Sequence, residues 1–298
     1  MRKKALFIGV IFVYLFYMVM KFMLDSNLHV TFCDVGQGDA ILIWRRGVEI
    51  LIDTGPPHSV QACLWKYIPF WDRTLEKVVI THADRDHSGN LQSLVNTFKI
   101  DQIITNEYSS FDNGIAEIIR MAKKKKTEVI FIEAGDHFSF LGGIFEVLWP
   151  EKRFMEGEEG INNKSIDDSA KNSVLASSKE ADNNPHSVVL RLKFGGLSGL
   201  FFGDIGAPEE KQLITSGELQ PVTFFKVAHH GSRFSTSPEL LEKIQAKFAV
   251  ISVGKNSFGH PSPDVMKRLQ EHQVTMYRTD ISGDIELISD GKMFKVRE

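Results

Sequence analysis

Cysteine is scarce in this chain: Cys33 and Cys63 are the two present among 298 residues. They form no CxxC pair, so a disulfide framework and a cysteine zinc site are both excluded. The spacing leaves a single bridge between them open. Excess charge is missing as well. Lys and Arg number 35 against 38 Asp and Glu, a formal net charge of −3, which excludes a general polycation that wraps nucleic acid. A polyanionic substrate would have to be held by a local site or by metal. Compositional bias is also absent. At 43% hydrophobic and 24% charged the chain is neither disordered, collagenous nor a polytopic membrane protein. Its length allows one large domain or two small ones around a real core.

Long hydrophobic runs are confined to the N-terminus. Arg2, Lys3 and Lys4 precede an unbroken apolar run from Ala5 to Met20, which resumes after Lys21 as Phe22, Met23 and Leu24. As a helix, residues 5–24 span about 30 Å, the thickness of a hydrocarbon core. No small-x-small cleavage site follows around Val19–Leu28, which favours a signal anchor over a cleaved signal peptide. A run apolar on every face is a poor buried core helix. Three basic residues before the segment against one after it place the N-terminus inside and the rest outside. The expectation is a single-pass protein of the cell membrane. Residues 1–27 are its transmembrane segment, and residues 28–298 form a domain on the extracellular side.

The rest reads as short strands with helices between them. Runs rich in apolar and β-branched residues at His29–Asp34, Asp39–Trp44, Val48–Asp53, Glu76–Thr81, Asp101–Thr105, Glu128–Ile132 and Ile144–Trp149 predict strands. Helical spacing of apolar residues covers Ser88–Phe98 and Asn113–Lys125. The segment Glu151–Asn184 is polar and nearly free of large apolar residues, and is expected to be a mobile insertion. Strands follow at Ser187–Phe194, Gly199–Gly203, Thr223–Ala228 and Phe248–Val253, then Val274–Arg278 and Asp284–Ile288. Helices start near Pro208, Pro238 and Pro263, with proline in the first turn each time. Two strand-rich halves, each with helices, predict a layered α/β protein with mixed sheets. The lysine run Lys123–Lys126 reads as a solvated helix end rather than a nucleic-acid contact.

Chemistry concentrates in Thr81-His82-Ala83-Asp84-Arg85-Asp86-His87. Four candidate metal ligands occupy six positions directly after a strand. Packing carboxylates and imidazoles so densely is costly unless a cation compensates it. An ordinary polar turn does not need two histidines and two aspartates.

This segment resembles the HxHxDH signature of the metallo-β-lactamase superfamily, with Asp84 where most members have the second histidine. Phe32-Cys33-Asp34-Val35-Gly36-Gln37-Gly38-Asp39-Ala40 resembles the DVGQGD opening of one branch, and Leu51-Ile52-Asp53-Thr54-Gly55 the strand that follows it. Phe202-Gly203-Asp204, Lys226-Val227-Ala228-His229-His230-Gly231-Ser232, Ser252-Val253-Gly254-Lys255-Asn256 and Gly259-His260-Pro261 continue the pattern in order. Together they are similar to the metallo-β-lactamase-like domain of ComEC-type DNA-uptake proteins over residues 28–290. Those proteins also carry a multi-span channel. This chain has one hydrophobic segment, so the channel function is not transferred.

The resemblance implies an αββα sandwich with two divalent metal ions, manganese or zinc, at the open edge between its sheets. His82, Asp84, Asp86 and His87 are the implied ligands, with Asp204 as the bridge. His229 or His230 supplies another. Taking both to lie on a strand, where neighbours face opposite ways, the reading favours His229. His260 is a further ligand or a proton donor, and His186 is equally read as a loop histidine. Asp86, His260 and Lys226 are the candidate catalytic residues, with Lys226 and Lys255 read either as offsetting phosphate charge or as surface lysines. Asp34, Gln37, Gly38 and Asp39 are expected to shape the floor of the site. Asp53 is read either as support for a ligand histidine or as a turn residue. Asn183, Asn184 and Ser187 resemble a substrate-side region. His29, His58, His137 and His272 read as surface or boundary histidines. The implied activity is a membrane-anchored phosphodiesterase acting on DNA. Two alternatives stand beside it: cleavage of cell-wall polymers such as phosphorylcholine-bearing teichoic acid, and a non-catalytic metal-binding partner of DNA uptake.

Overall fold

A computed structural model describes residues 22–151 and 184–298, with five further positions between 13 and 20. In chain order the strands are β1 (Leu28–Phe32), β2 (Ile41–Arg45), β3 (Val48–Ile52), β4 (Thr74–Ile80), β5 (Lys99–Thr105), β6 (Glu128–Phe131), β7 (His137–Phe140), β8 (Gly143–Trp149), β9 (Val189–Phe194), β10 (Leu197–Phe201), β11 (Phe224–Lys226), β12 (Phe248–Ile251), β13 (Thr275–Arg278), β14 (Ile285–Ser289) and β15 (Phe294–Arg297). They form an eight-stranded sheet in the order β15-β14-β1-β2-β3-β4-β5-β6 and a seven-stranded sheet in the order β13-β12-β11-β10-β9-β8-β7. Both are mixed. β3, β4, β5 and β6 run parallel in the first sheet, and β10, β11, β12 and β13 in the second.

The sheets face each other across an apolar core. Phe32 from the first sheet meets Phe224 of the second edge-on, with ring centroids 6.2 Å apart, and Phe224 stacks on Phe248 at 5.6 Å. Gly199 makes room for the Phe224 ring, since a Cβ there would lie 2.2 Å from it. The outer faces are covered by helices. Leu64 of α1 (Gln61–Tyr67), Leu94 of α3 (Leu91–Thr97) and Ile119 of α4 (Asn113–Lys124) pack on the first sheet, with the short α2 (Arg85–Ser88) lying just before α3. Leu213 of α5 (Ala207–Ser216), Leu241 of α6 (Pro238–Ile244) and Leu269 of α7 (Pro263–Glu271) pack on the second. Each of these last three has proline in its first turn, where its fixed φ and missing N–H are tolerated. The result is the αββα sandwich that the motifs implied.

Several expectations are sharpened. Cys33 and Cys63 are joined, with Cα atoms 5.8 Å apart, so α1 is tied to the end of β1. Strands β7 and β15 and helix α1 were not anticipated; each is only 4 to 7 residues long. The insertion expected at 151–184 falls almost wholly on residues 152–183, outside the described residues. Its two flanks meet, because the Trp149 indole N–H donates to the Pro185 carbonyl at 2.7 Å. Most of the expected membrane segment also lies outside the described residues. Among those described, no helix is long and apolar enough to cross a membrane.

Candidate metal centre

Every motif singled out by its chemistry lies beyond the same end of the strands. Loop 33–40 follows β1, Asp53 follows β3, the 81–87 loop follows β4, Asp204 follows β10, and the histidine pair follows β11. Because β3, β4, β10 and β11 deliver their C-terminal ends to one edge, their loops converge there.

The loops are locked together by backbone hydrogen bonds. Asp39 N–H donates to the Asp86 carbonyl at 3.1 Å, Gly55 N–H to the Asp39 carbonyl at 2.8 Å, and His229 N–H to the Gly203 carbonyl at 3.0 Å. Gly38 has φ +138°, and a Cβ there would lie 2.3 Å from the Asp86 carbonyl oxygen. Only glycine lets the 33–40 loop press this closely on the 81–87 loop.

Asp86, His87, Asp204 and His230 bring one ligand atom each within 4.8 Å of one another. His87 Nε2 lies 3.3 Å from His230 Nε2 and 3.3 Å from Asp204 Oδ1. His230 Nε2 lies 3.3 Å from Asp204 Oδ2 and 3.4 Å from Asp86 Oδ2. Each imidazole is aimed by its other nitrogen. His87 Nδ1 meets Asp53 Oδ2 at 2.8 Å, and His230 Nδ1 meets the Ser252 carbonyl at 2.9 Å. Asp53 is itself fixed by the Thr81 N–H and hydroxyl, both donating at 2.8 Å. It therefore supports a candidate ligand histidine, the first of the two readings left open for it.

The His82 ring lies beside that of His87, tilted by 49° with centroids 4.1 Å apart. Its Nε2 is buried without a hydrogen-bond partner and lies 3.8 Å from Asp84 Oδ2. A buried imidazole nitrogen left in this way normally has a partner. Imidazole nitrogens and carboxylates pointing into one space are a donor set that suits divalent cations. The residues fit a metal.

The electrostatics follow from the crowding. Burial, with the neighbouring His87, depresses His82 to about 4. Burial also opposes charge on His87 and His230. Asp204 and Asp53 outweigh it at His87, holding it well above its usual range, and Asp204 and Asp39 carry His230 up to about 9. Burial is likewise outweighed at Asp86, where His230 and His87 draw the carboxyl down to about 2.

The expected residues separate into three groups. His82, Asp86, His87 and Asp204 are brought together, with Asp84 beside His82. His230 joins the cluster, while His229 Nε2 stands 3.8 Å from Asp204 Oδ2 and its side chain is 31% exposed. The alternation argument for His229 does not apply here. β11 ends at Lys226, and both histidines lie in a tight turn with φ of 49° and 52°. His260 lies one ring further out, 5.5 Å from His229. Burial first, and then His229 and His230, lower its pKa.

Lys226 was expected to meet phosphate or to lie at the surface. Instead it is buried, with Nζ 2.6 Å from Asp39 Oδ2 and donating to the Val227 carbonyl at 2.9 Å. Lys255 is exposed. Of the expected floor, Asp39 lies under His230, with Oδ1 3.5 Å from Nδ1. Gln37 Oε1 accepts from Gly254 N–H at 3.5 Å. Asp34 is exposed, its backbone N–H donating to Asp284 Oδ1 at 2.8 Å and its own Oδ1 accepting from Gly36 N–H at 3.2 Å. Ser187 Oγ accepts from Asp204 N–H at 3.2 Å, Asn184 opens the turn leading to Ser187, and Asn183 lies outside the described residues. His186 stacks on Tyr108 at 3.7 Å. His29 is not a surface histidine: it is buried against Trp44 between Asp25 and Glu286. Asn106 escaped the sequence reading, although its side-chain amide donates to the Thr81 and His186 carbonyls at 2.9 and 2.7 Å. No local pattern marks it.

The sequence profile of the metallo-beta-lactamase superfamily matches residues 33–255. The chain belongs to that superfamily. Among curated proteins it is 27% identical over 283 residues to ComE operon protein 3 of Bacillus subtilis, covering 88% of this chain and 33% of the relative. It is 27% identical over 259 residues to Recombination protein 2 of Haemophilus influenzae, covering 85% and 28%. The chain thus spans about a third of the length of the curated relatives it matches. Among solved structures, the metallo-beta-lactamase fold protein YhfI from Bacillus subtilis superposes with a TM-score of 0.57 at 11% identity, over 89% of this chain and 100% of that one. That likeness establishes the shared fold.

Proposed function

We propose that this superfamily member is a membrane-anchored, metal-dependent phosphodiesterase that cleaves DNA outside the membrane. The observation that carries the reading is the convergence of Asp86 and His87 from one sheet with Asp204 and His230 from the other. His82 and Asp84 extend that set toward a second ion. Divalent cations at such a site offset phosphate charge and activate water at neutral pH. The resemblance of its motifs to those of ComEC-type DNA-uptake proteins, together with the similarity to Recombination protein 2, favours DNA as the phosphodiester. The basic terminus ahead of the apolar run, and a disulfide of the kind that persists in oxidising compartments, favour placement outside the membrane.

The chain's own groups then have distinct tasks. Asp53 holds His87 through Nδ1, and the Ser252 carbonyl holds His230 through Nδ1. Asp39 and Lys226 neutralise each other beneath them. His260, with its lowered pKa, is neutral near pH 7 and is the group beside the cluster suited to accept or return a proton. Asp84 stands where a histidine is usual in the resembling signature. A hard oxygen donor there favours manganese over zinc.

The test uses the full chain in detergent, stripped by chelator and reloaded with manganese or zinc. Substrates are DNA, bis-p-nitrophenyl phosphate and phosphorylcholine esters. Metal-dependent cleavage of DNA is expected. Preference for phosphorylcholine esters would move the substrate to cell-wall polymers. Metal binding without any hydrolysis would leave a non-catalytic binding protein. Undiminished activity in chelator would overturn the metal mechanism.

A further inference from the structure

The end of the sandwich opposite the metal centre carries a second organised surface. Trp44 pairs in register with both His29 and Glu49, and Thr74 pairs with Lys99. The entry to β1, the β2–β3 turn and the entry to β4 therefore share that end. Phe22 stacks on Trp44 with centroids 5.0 Å apart, so the chain coming from the apolar N-terminal run docks there. The adjoining Leu24 is 68% exposed. On the approach to β4, Phe70 and Trp71 form an edge-on pair at 5.0 Å and are 68% and 38% exposed. Arg46, in the β2–β3 turn, and Arg73 are exposed at the same end. Asp72, lying between the aromatic pair and Arg73, is turned inward. Its Oδ1 accepts from Thr74 N–H at 3.1 Å, and its charge acts on buried Glu49.

We propose that this end is a lipid-docking face. Phe70 and Trp71, rimmed by Arg46 and Arg73, lie in the headgroup layer of an anionic phospholipid bilayer, beside the point where the N-terminal run enters it. The proposal rests on the anchored reading above. Tryptophan prefers the membrane–water interface. Basic side chains close to an anionic surface are attracted to it. What selects lipid over a protein partner is covalent continuity: the exposed aromatics and cations surround the root of a 16-residue apolar run, Ala5–Met20, rather than forming an isolated patch. The metal centre then faces away from the bilayer, with the length of the strands between.

The chain has four tryptophans, of which Trp44 and Trp149 are buried. W65F therefore keeps Trp71 as its one exposed tryptophan, and W65F/W71F has none. Both full-length variants are reconstituted with vesicles of phosphatidylcholine and phosphatidylglycerol carrying brominated acyl chains as quencher. Both are expected to float with the vesicles. Lipid quenching of tryptophan emission should be strong in W65F and mostly lost in W65F/W71F. If both float and are quenched equally, the docking face is overturned while the anchor stands. If neither floats, the anchor itself falls and the docking face with it.

Discussion

Lys226 offers a clean separation between a residue that handles substrate and one that holds the site together. Its Nζ lies 2.6 Å from Asp39 Oδ2, and both side chains are buried. At an effective dielectric of about 20, two charges so close attract by about 6 kcal/mol. Most of this is cancelled by the cost of taking both ions out of water, so the intact pair adds little net stability. Removing one partner is different, because Asp39 then keeps its desolvation cost without its cation. That loss is about 3–5 kcal/mol. His230 Nδ1, 3.5 Å from Asp39 Oδ1, supplies partial compensation and moves the expectation for Lys226→Met to the lower end, about 3 kcal/mol. In a domain of this size that corresponds to a fall of about 6–12 °C in Tm. The double variant Lys226→Met/Asp39→Asn leaves no unpaired charge and should recover most of the loss. The assay is urea or thermal unfolding in chelator, so that metal binding does not contribute, run beside metal-dependent phosphodiesterase activity. If Lys226→Met keeps its stability but loses activity, Lys226 reaches substrate and the buried-pair account is wrong. A double variant no more stable than the single one would refute it equally.

Other expectations follow from the same physical reasoning. Burial first, and then the charges of Asp72 and Glu76, push the Glu49 carboxyl up to about 9 from an ordinary 4.5. The fold therefore favours its neutral form, so stability from this group is full below about pH 4.5 and falls by about 1.4 kcal/mol per pH unit toward pH 9. Glu49→Gln, which mimics the neutral acid, should melt close to wild type at pH 5 and progressively higher as pH rises to 8.5; parallel Tm curves would contradict this. Asp86→Ala and Asp204→Ala should abolish metal-dependent hydrolysis, and Asp84→His should shift the preference from manganese toward zinc in a metal titration of the apo-protein. An unchanged metal ranking would remove the role given to Asp84. Replacing residues 152–183 by a short Gly/Ser linker should leave Tm nearly unchanged, because loop closure depends weakly on length and Trp149 already meets Pro185. A large fall would show that the segment packs on the core.

What could be read from the sequence was what repeats a local rule. The valine- and isoleucine-rich strands, the proline-started helices and the glycine-flanked motifs all recur in the structure near their expected positions. The donor-rich loop at residues 81–87 announced itself because no polar turn needs so many ligands. What escaped depends on direction rather than composition. The choice between His229 and His230 turned on a backbone with positive φ, where strand alternation fails. Lys226 looked available because sequence does not reveal which end of a strand meets another sheet. Its 2.6 Å contact with Asp39 joins residues far apart in the chain. His29 and Asn106 act through such distant partners too, and β7 and β15 are too short for periodicity to show.

The division of the cluster between the two sheets has an architectural consequence. Asp86 and His87 belong to the first half of the chain, Asp204 and His230 to the second, and each half leaves an apolar face bare without the other. Neither half on its own carries a complete donor set or a covered core. A cation held by all four would act as a clasp, tightening the halves against each other by RT ln(1 + [M]/Kd). Separately expressed halves should then reassociate more tightly as metal is added, and occupancy of the site would report that the sandwich has closed.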